Sequence, residues 1–138
     1  MIDTVKIKGG KKLSGEIEIQ GAKNEALQTI CASLLTEDEI TLEKVPDILD
    51  VKRLLETLEL LGVEILNPAP GIYKLKAENI DQEKMKSPGF REKVSLTRGA
   101  LGITGGLLGR FGYACMSRPG GDKIGIRPID VHLNGFES

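Results

Sequence analysis

The chain has 138 residues, of which 40% are hydrophobic and 28% are charged, a balance that excludes a disordered ground state and is typical of one globular domain. The 19 basic and 20 acidic side chains leave a formal net charge of −1, which excludes the global basic field expected of a nucleic-acid-binding protein. We therefore predict no nucleic-acid partner and expect any affinity for anions to come from local clusters of charge.

No apolar run approaches the roughly 20 residues that span a bilayer, and residues 1–3 lead directly into an alternating pattern without the core of a signal peptide. We expect a cytoplasmic protein with no membrane partner. Cys31 and Cys115 fit reduced, buried apolar residues better than a disulfide pair. Neither has a metal-ligand neighbour and His132 is the only histidine, so we predict no metal and no cofactor.

The first elements in chain order are two strands and a helix. Residues 4–8 and 15–20 alternate between apolar and polar side chains, which predicts two half-buried strands on either side of the Gly9-Gly10 turn. From residue 22 to residue 35 the apolar side chains recur at helical spacing and predict a helix with a wide apolar stripe.

Lys23 falls in the first turn of this predicted helix, where the helix dipole already presents positive charge. A bound phosphate or carboxylate would offset the repulsion, since the lysine and the helix N-terminus could share one anion. The alternative is a lysine that points into water.

Residues 40–43 predict a short strand, and Asp50 is a plausible N-cap for a helix that runs to Leu61 and ends at Gly62. Residues 63–66 and 72–75 then predict a hairpin around a Pro- and Gly-containing turn.

Residues 91–110 have helical apolar spacing but contain five glycines, each of which costs a helix about 1 kcal/mol relative to alanine. We predict a buried helix whose backbone is closely approached by other elements, and the alternative is a flexible loop. Residues 112–117 predict a further strand.

The segment from Arg118 to Asp130 combines three glycines in six residues with Arg118, Lys123 and Arg127 around the carboxylate of Asp122. Pro128 is well placed as the first residue of a helix with Asp130 in its first turn, so free N–H groups would point back at this loop. The pattern suits an anion-binding loop, and the alternative is a tight turn with solvated charges.

The two halves of the chain form a weak internal repeat. In each half a strand, a Pro-containing loop, an Asp-Val pair and a helix follow one another, with the pairs at residues 50–51 and 130–131. The second copy has only eight residues after Asp130, so we expect a chain that belongs to a longer polypeptide.

Several specific motifs occur in order along the whole chain: Gly21-Ala22-Lys23-Asn24-Glu25-Ala26-Leu27, Asp50-Val51, Leu61-Gly62, Thr97-Arg98-Gly99-Ala100, Arg110-Phe111-Gly112, and residues 119–132. In these motifs the chain resembles the N-terminal part of the UDP-N-acetylglucosamine 1-carboxyvinyltransferases, the enolpyruvyl transferase family of peptidoglycan synthesis.

The resemblance implies an α/β fold of repeated strand-helix units, an inside-out α/β barrel with helices inside and sheets outside, which is incomplete in this chain. It implies strands in residues 1–20 that pair with a missing C-terminal part, a first α/β repeat in residues 21–86, and a truncated second repeat in residues 87–138.

The resemblance also implies a site. Lys23 and Asn24 would contact phosphoenolpyruvate, and Arg98 would approach the nucleotide sugar and the reaction centre. The residues expected to hold UDP-N-acetylglucosamine are Arg127, Pro128, Ile129, Asp130 and Val131. Asp122 stands where most of the family has a cysteine that donates a proton, so the implied catalytic residues are Asp122, Lys23 and Arg98. The epoxide antibiotic fosfomycin alkylates that cysteine in the family, and we therefore expect insensitivity here.

The implied function is transfer of the enolpyruvyl group of phosphoenolpyruvate to the 3-hydroxyl of UDP-N-acetylglucosamine with release of phosphate, by a full-length enzyme. Two alternatives stay open: a non-catalytic binding or assembly module, and the related enolpyruvyl transferase of the shikimate pathway.

Overall fold

The computed structural model describes residues 4–121, 125 and 128–137. In these residues, helices α1 to α5 span Lys23–Ala32, Leu49–Leu60, Pro88–Val94, Leu101–Phe111 and Asp130–Glu137. Strands β1 to β3 span Glu39–Leu42, Glu64–Ala69 and Ile72–Lys76. Short 3-10 turns occupy Ser33–Leu35, Gln82–Lys86 and Arg98–Ala100.

The three strands form one antiparallel sheet in the order β1-β3-β2. Leu75 lies opposite Ile40 on one side and Ile65 on the other, and its side chain is fully buried. Gly71 turns the β2–β3 hairpin with a φ of +74°, a left-handed conformation that glycine adopts without strain. The predicted hairpin and the predicted strand at residues 40–43 are therefore confirmed, with β1 beginning one residue earlier.

The hydrophobic core is built mainly from helices. α1, α2, α3 and α4 contribute most of the buried apolar side chains, whereas the sheet contributes Leu75 of β3. The largest fully buried side chain is that of Phe90 on α3. Helices inside and a sheet against them agree with the predicted fold class. Within the described residues, no helix is long and apolar enough to cross a membrane.

The glycines of α4 let other backbones and side chains approach it closely. A Cβ atom at Gly106 would lie 2.8 Å from the carbonyl oxygen of Cys31 and 2.9 Å from Cβ of Leu34, and one at Gly102 would lie 2.8 Å from Sγ of Cys31. Such distances are too short for a side chain, so α1 and the turn after it pack directly on the α4 backbone. This confirms the predicted tightly packed helix.

That helix is not continuous, however. α3 ends at Val94, and the Oγ1 atom of Thr97 then accepts the backbone N–H of Gly99 at 3.3 Å, which caps a 3-10 turn leading into α4. The prediction of one helix over residues 91–110 was wrong because the buried Thr97 competes for backbone donors in the middle of the apolar pattern.

Two predicted helix starts also need correction. Ile48 is the N-cap of α2, so Asp50 lies in the first turn rather than at the cap. α5 begins at Asp130, so Pro128 precedes the helix instead of opening it.

The predicted strands at residues 4–8, 15–20 and 112–117 are not formed in the described chain. In residues 4–20 the large apolar side chains are 73–91% exposed: Val5, Ile7, Leu13, Ile17 and Ile19. An isolated strand has no partner for its backbone groups, and these segments pair with none of the strands β1 to β3. In the later segment the Cys115 N–H instead meets Sδ of Met85, at 3.4 Å.

Arg110 fastens the end of α4 to the sheet and to the segment after α1. Its guanidinium donates to the backbone carbonyls of Leu34, Thr36 and Ala77 at 2.5–3.3 Å and pairs with Glu37 at 2.9 Å. Only 11% of the Arg110 side chain is exposed. The arginine thus provides hydrogen-bond donors for three backbone carbonyls that lie outside the paired strands and have no partner strand.

Candidate active site

The N-terminal ends of α1 and α2 border a cavity of about 460 Å³, which we call the cleft. The turn before α4, the first half of α4 and one face of α5 complete its walls. The lining residues are Lys23, Asn24, Leu27, Gln28, Asp50, Thr97, Arg98, Gly99, Leu101, Gly102, Gly105, Gly121, His132 and Phe136.

A backbone contact positions the start of α1. A Cβ atom at Gly21 would lie 1.8 Å from the carbonyl oxygen of Lys44, so only glycine allows the chain to pass there. Lys44 itself has a left-handed φ of +55°. The preceding residue of the helix, Ala22, supplies no side-chain cap, so the first-turn N–H groups of α1 are left to other acceptors.

Lys23 lies in the first turn of α1, as predicted, and the helix begins at this residue, one position later than expected. Its Nζ lies 2.9 Å from Oδ2 of Asp50. Asp50 lies in the first turn of α2, where a carboxylate is favoured by the helix dipole. The anion expected to balance Lys23 is therefore supplied, in the described chain, by a neighbouring helix. The lysine side chain is 52% exposed and the aspartate 35%, so the pair is accessible to solvent.

Arg98 enters the cleft from the 3-10 turn that the Thr97 hydroxyl caps. Its Nη2 donates to the carbonyl oxygen of Pro128 at 2.9 Å. This bond brings together two of the predicted site residues that are 30 positions apart in sequence, and it ties the entry of α4 to the segment before α5.

The other predicted site residues do not all line the cleft. Asn24 lines the cleft, and Ile129 and Asp130 line an adjoining cavity of about 530 Å³. Leu101 and Phe136 line both spaces, which makes the two cavities neighbours. The predicted substrate-binding residue Val131 is 79% exposed and lines neither of them. Asp122 and Arg127 lie outside the described residues.

The beginning of the glycine-rich loop is fixed to the end of α3. The Gly120 N–H donates to the carbonyl oxygen of Val94 at 3.3 Å, and a Cβ atom at Gly120 would lie 1.5 Å from the carbonyl oxygen of Ser95. The sequence argument that these glycines allow close approaches is confirmed at this position.

Both cysteines are free, and Cys31 is packed behind the cleft against α4. Burial raises the pKa of the Cys31 thiol to about 12. A thiol that holds its proton so firmly is a poor nucleophile, and we assign it a packing role. Cys115 is half-buried and lies outside the cleft lining.

Sequence reasoning overlooked two cleft residues. Asp50 was assigned to capping, and its pairing with Lys23 follows from how α1 packs beside α2, which no local pattern encodes. His132 was not among the predicted site residues, yet it is exposed and lines the cleft with Phe136 four residues later. That spacing of four places both side chains on one face of a helix and was the available signal.

Comparisons with known proteins identify relatives of this chain. The family profile described as EPSP synthase (3-phosphoshikimate 1-carboxyvinyltransferase) matches residues 7–138. The chain is 47% identical over 132 residues to the UDP-N-acetylglucosamine 1-carboxyvinyltransferase of Bacteroides thetaiotaomicron, 46% identical to that of Porphyromonas gingivalis, and 38% identical over 136 residues to that of Wolinella succinogenes. These matches cover 96–99% of this chain but only 30–31% of the relatives' length.

Among solved structures, the enolpyruvyl transferase NikO from Streptomyces tendae superposes with a TM-score of 0.71 at 23% identity. The superposition covers 91% of this chain and 26% of that protein, and at this identity it supports the fold alone. The match to the family profile extends over almost the whole chain, and the chain therefore belongs to the EPSP synthase family.

Proposed function

We propose that this chain is the N-terminal part of a UDP-N-acetylglucosamine 1-carboxyvinyltransferase, which transfers the enolpyruvyl group of phosphoenolpyruvate to the sugar 3-hydroxyl. The observation that carries the proposal is the convergence of Lys23, Asn24 and Arg98 on one cleft. The names of relatives at 46–47% identity support the choice of substrates. The catalytic assembly would be completed by the longer polypeptide, because the chain spans about 30% of these relatives.

The chemistry requires cations and an acid. The sugar hydroxyl gives up its proton and adds to C2 of phosphoenolpyruvate while C3 accepts a proton. The tetrahedral intermediate then loses a proton from C3 as it expels phosphate, which restores the double bond. Lys23 is suited to the phosphate, because the N-terminus of α1 presents N–H groups beside it. Arg98 is suited to a carboxylate or a sugar oxygen by its planar set of donors.

In this proposal the proton donor is Asp122, and the nucleotide sugar is held by Arg127 and residues 128–131. An unperturbed aspartate has a pKa near 3.9, so keeping it protonated at pH 7 costs about 4 kcal/mol. Burial and the negative charge of bound phosphoenolpyruvate would have to supply that energy. Asp122 would then act as an acid only in the complex with substrate.

The exposed apolar residues of the N-terminal segment support a further part of the proposal. We assign residues 4–20 to strands that pair with the remainder of the polypeptide, which would cover side chains such as Ile7 and Ile17. The enzyme would work in the cytoplasm at the first committed step of peptidoglycan synthesis.

The test is an assay of phosphate release by the full natural polypeptide. We expect release with phosphoenolpyruvate and UDP-N-acetylglucosamine together and none with either alone. Replacing the sugar nucleotide by shikimate 3-phosphate tests the other activity of the family. Turnover with that acceptor alone would reassign the substrate, and absence of turnover with both would favour a binding or assembly module.

Asp122 predicts a distinct response to fosfomycin. A carboxylate is a much weaker nucleophile than a thiolate, so the epoxide should not inactivate the full polypeptide over time. The Asp122→Cys variant is the matched control and should become sensitive. Covalent labelling of Asp122, detected by mass spectrometry of the unsubstituted protein, would refute this part of the proposal.

A further inference from the structure

The described lining of the cleft contains two cationic side chains, Lys23 and Arg98, and a single carboxylate, Asp50. The 2.9 Å contact between Nζ of Lys23 and Oδ2 of Asp50 places that carboxylate on the cation that best suits a substrate phosphate. Any anion that binds Lys23 must therefore share it with Asp50 or displace Asp50 from it.

Stability does not account for this pair. The two side chains are 52% and 35% exposed, and solvent-exposed ion pairs stabilise proteins by only about 0–1 kcal/mol. Lys23 stands at the N-terminal end of α1, where the helix dipole disfavours a cation, whereas Asp50 stands where the dipole of α2 favours an anion. Asp50 is thus favoured at the start of its own helix, and its carboxylate offsets the unfavourable position of Lys23.

We propose that Asp50 is a positioning residue that aims Lys23 into the cleft and competes with substrate phosphate for it. The inference rests on the proposed function, since it assigns Lys23 to phosphoenolpyruvate. It predicts opposite effects on binding and on turnover. The carboxylate weakens binding of the anionic substrate by repulsion, and it speeds the reaction by keeping the lysine in one geometry.

The variant that separates the two effects is Asp50→Asn, which keeps the size of the side chain and removes its charge. Loss of a unit charge about 4 Å away in a solvated cleft should tighten binding of phosphoenolpyruvate about fivefold. A lysine without its partner samples more rotamers, so kcat should fall about tenfold. Asp50→Glu restores the charge and should recover part of kcat.

The chain offers a matched control outside the cleft. Asp47 pairs with Lys52 at 2.6 Å, and its side chain is 78% exposed. Asp47→Asn removes a charge three residues away and should change neither phosphoenolpyruvate binding nor kcat. Thermal unfolding of all variants should agree within the small shifts expected for exposed pairs.

The experiment measures kcat, KM and the calorimetric Kd for phosphoenolpyruvate in the full natural polypeptide. A double-mutant cycle with Lys23→Met, followed by single-turnover phosphate release, tests whether Asp50 acts through the lysine. We expect the loss of rate caused by Asp50→Asn to disappear in the Lys23→Met background. Full additivity of the two losses would overturn the proposal.

The binding measurement keeps this inference separate from the proposed function. If no acceptor supports turnover, the proposed function fails, while tighter binding of phosphoenolpyruvate to Asp50→Asn than to Asp47→Asn still supports the pairing. Equal affinities in these two variants, or no binding by either, would overturn the role of Asp50. So would a fall in kcat that is matched by a fall in thermal stability.

Discussion

The β2–β3 hairpin and the segment from residue 4 to residue 20 both alternate between apolar and polar side chains, yet they have opposite environments. Leu75 has a partner strand on each side and is fully buried, whereas Ile17 is 91% exposed. Alternation decides which side chains share a face of a strand. A sheet also requires a second strand for the backbone groups, and the described chain provides one for the hairpin and none for residues 4–20.

The largest effect that we predict is the difference in thiol reactivity between the buried core, represented by Cys31 of α1, and the exposed segment of residues 4–20. The pKa of about 12 for the buried Cys31 leaves roughly a thousandfold less thiolate at pH 8 than a group with the ordinary value of 9.0. A probe thiol introduced into the exposed segment by Ser14→Cys should react like a free thiol. Stopped-flow labelling with a disulfide reagent checks this, and equal rates for Cys31 and the probe would contradict the burial of α1.

The next largest effect is on stability. Leu75→Ala should lower the free energy of unfolding by about 2–5 kcal/mol, because it opens a cavity at the centre of the sheet. Ile17→Ala should change it by less than about 0.5 kcal/mol in the 138-residue chain, because that side chain is already in water. Urea unfolding followed by circular dichroism measures both. A comparable loss from Ile17→Ala would show that the N-terminal segment packs on the core.

A smaller loss is expected at the contact between the end of α4 and the residue that follows β3. Arg110→Met removes the donor of three backbone carbonyls and should cost about 2 kcal/mol, since buried acceptors without partners are unfavourable. Lys12→Met, in the exposed segment, is the control and should be neutral. Arg110→Lys should lie between the unsubstituted protein and Arg110→Met. Urea unfolding again measures the free energies of unfolding. An unchanged free energy for Arg110→Met would mean that water takes the place of the guanidinium at the three carbonyls.

The smallest effect is the dependence of stability on pH. The folded-state pKa of Cys31 is raised, so its contribution is complete below the unfolded value near 9 and is lost as the pH rises from 9 towards 12. At pH 10 the loss should be about 1.4 kcal/mol. Cys31→Ala should lack this component, and the test is the difference between the two proteins' unfolding free energies at pH 8 and pH 10. An unchanged difference would indicate that Cys31 titrates normally.

The sequence specified the regular elements wherever local periodicity was sufficient. The helical spacing after Gly21 predicts α1, and the glycines of α4 predict close approaches that the contacts of Gly106 confirm. Periodicity failed at Thr97, where a side-chain hydrogen bond interrupts an apolar pattern that continues through it. It failed also in residues 4–20, because pairing is a property of two segments and a pattern describes one.

The candidate site shows the same division. The motifs that resemble a known family led to Lys23, Asn24 and Arg98, which line one cleft. Asp50 was missed as a site residue because its contact with Lys23 joins positions 27 residues apart. Contacts of that kind arise from the packing of whole helices, and the order of residues along either helix does not reveal them.

The close approach of Gly21 to the carbonyl oxygen of Lys44 limits which residues can occupy position 21 during evolution. A methyl group at position 21 would have to occupy the space of that oxygen, so every substitution there should be selected against regardless of the chemistry of the side chain. Lys23 begins its helix two residues later. The position of Lys23 in the cleft therefore depends on Gly21, a residue without a side chain. Substitutions that alter the site without displacing Lys23 have to occur at other positions in the chain.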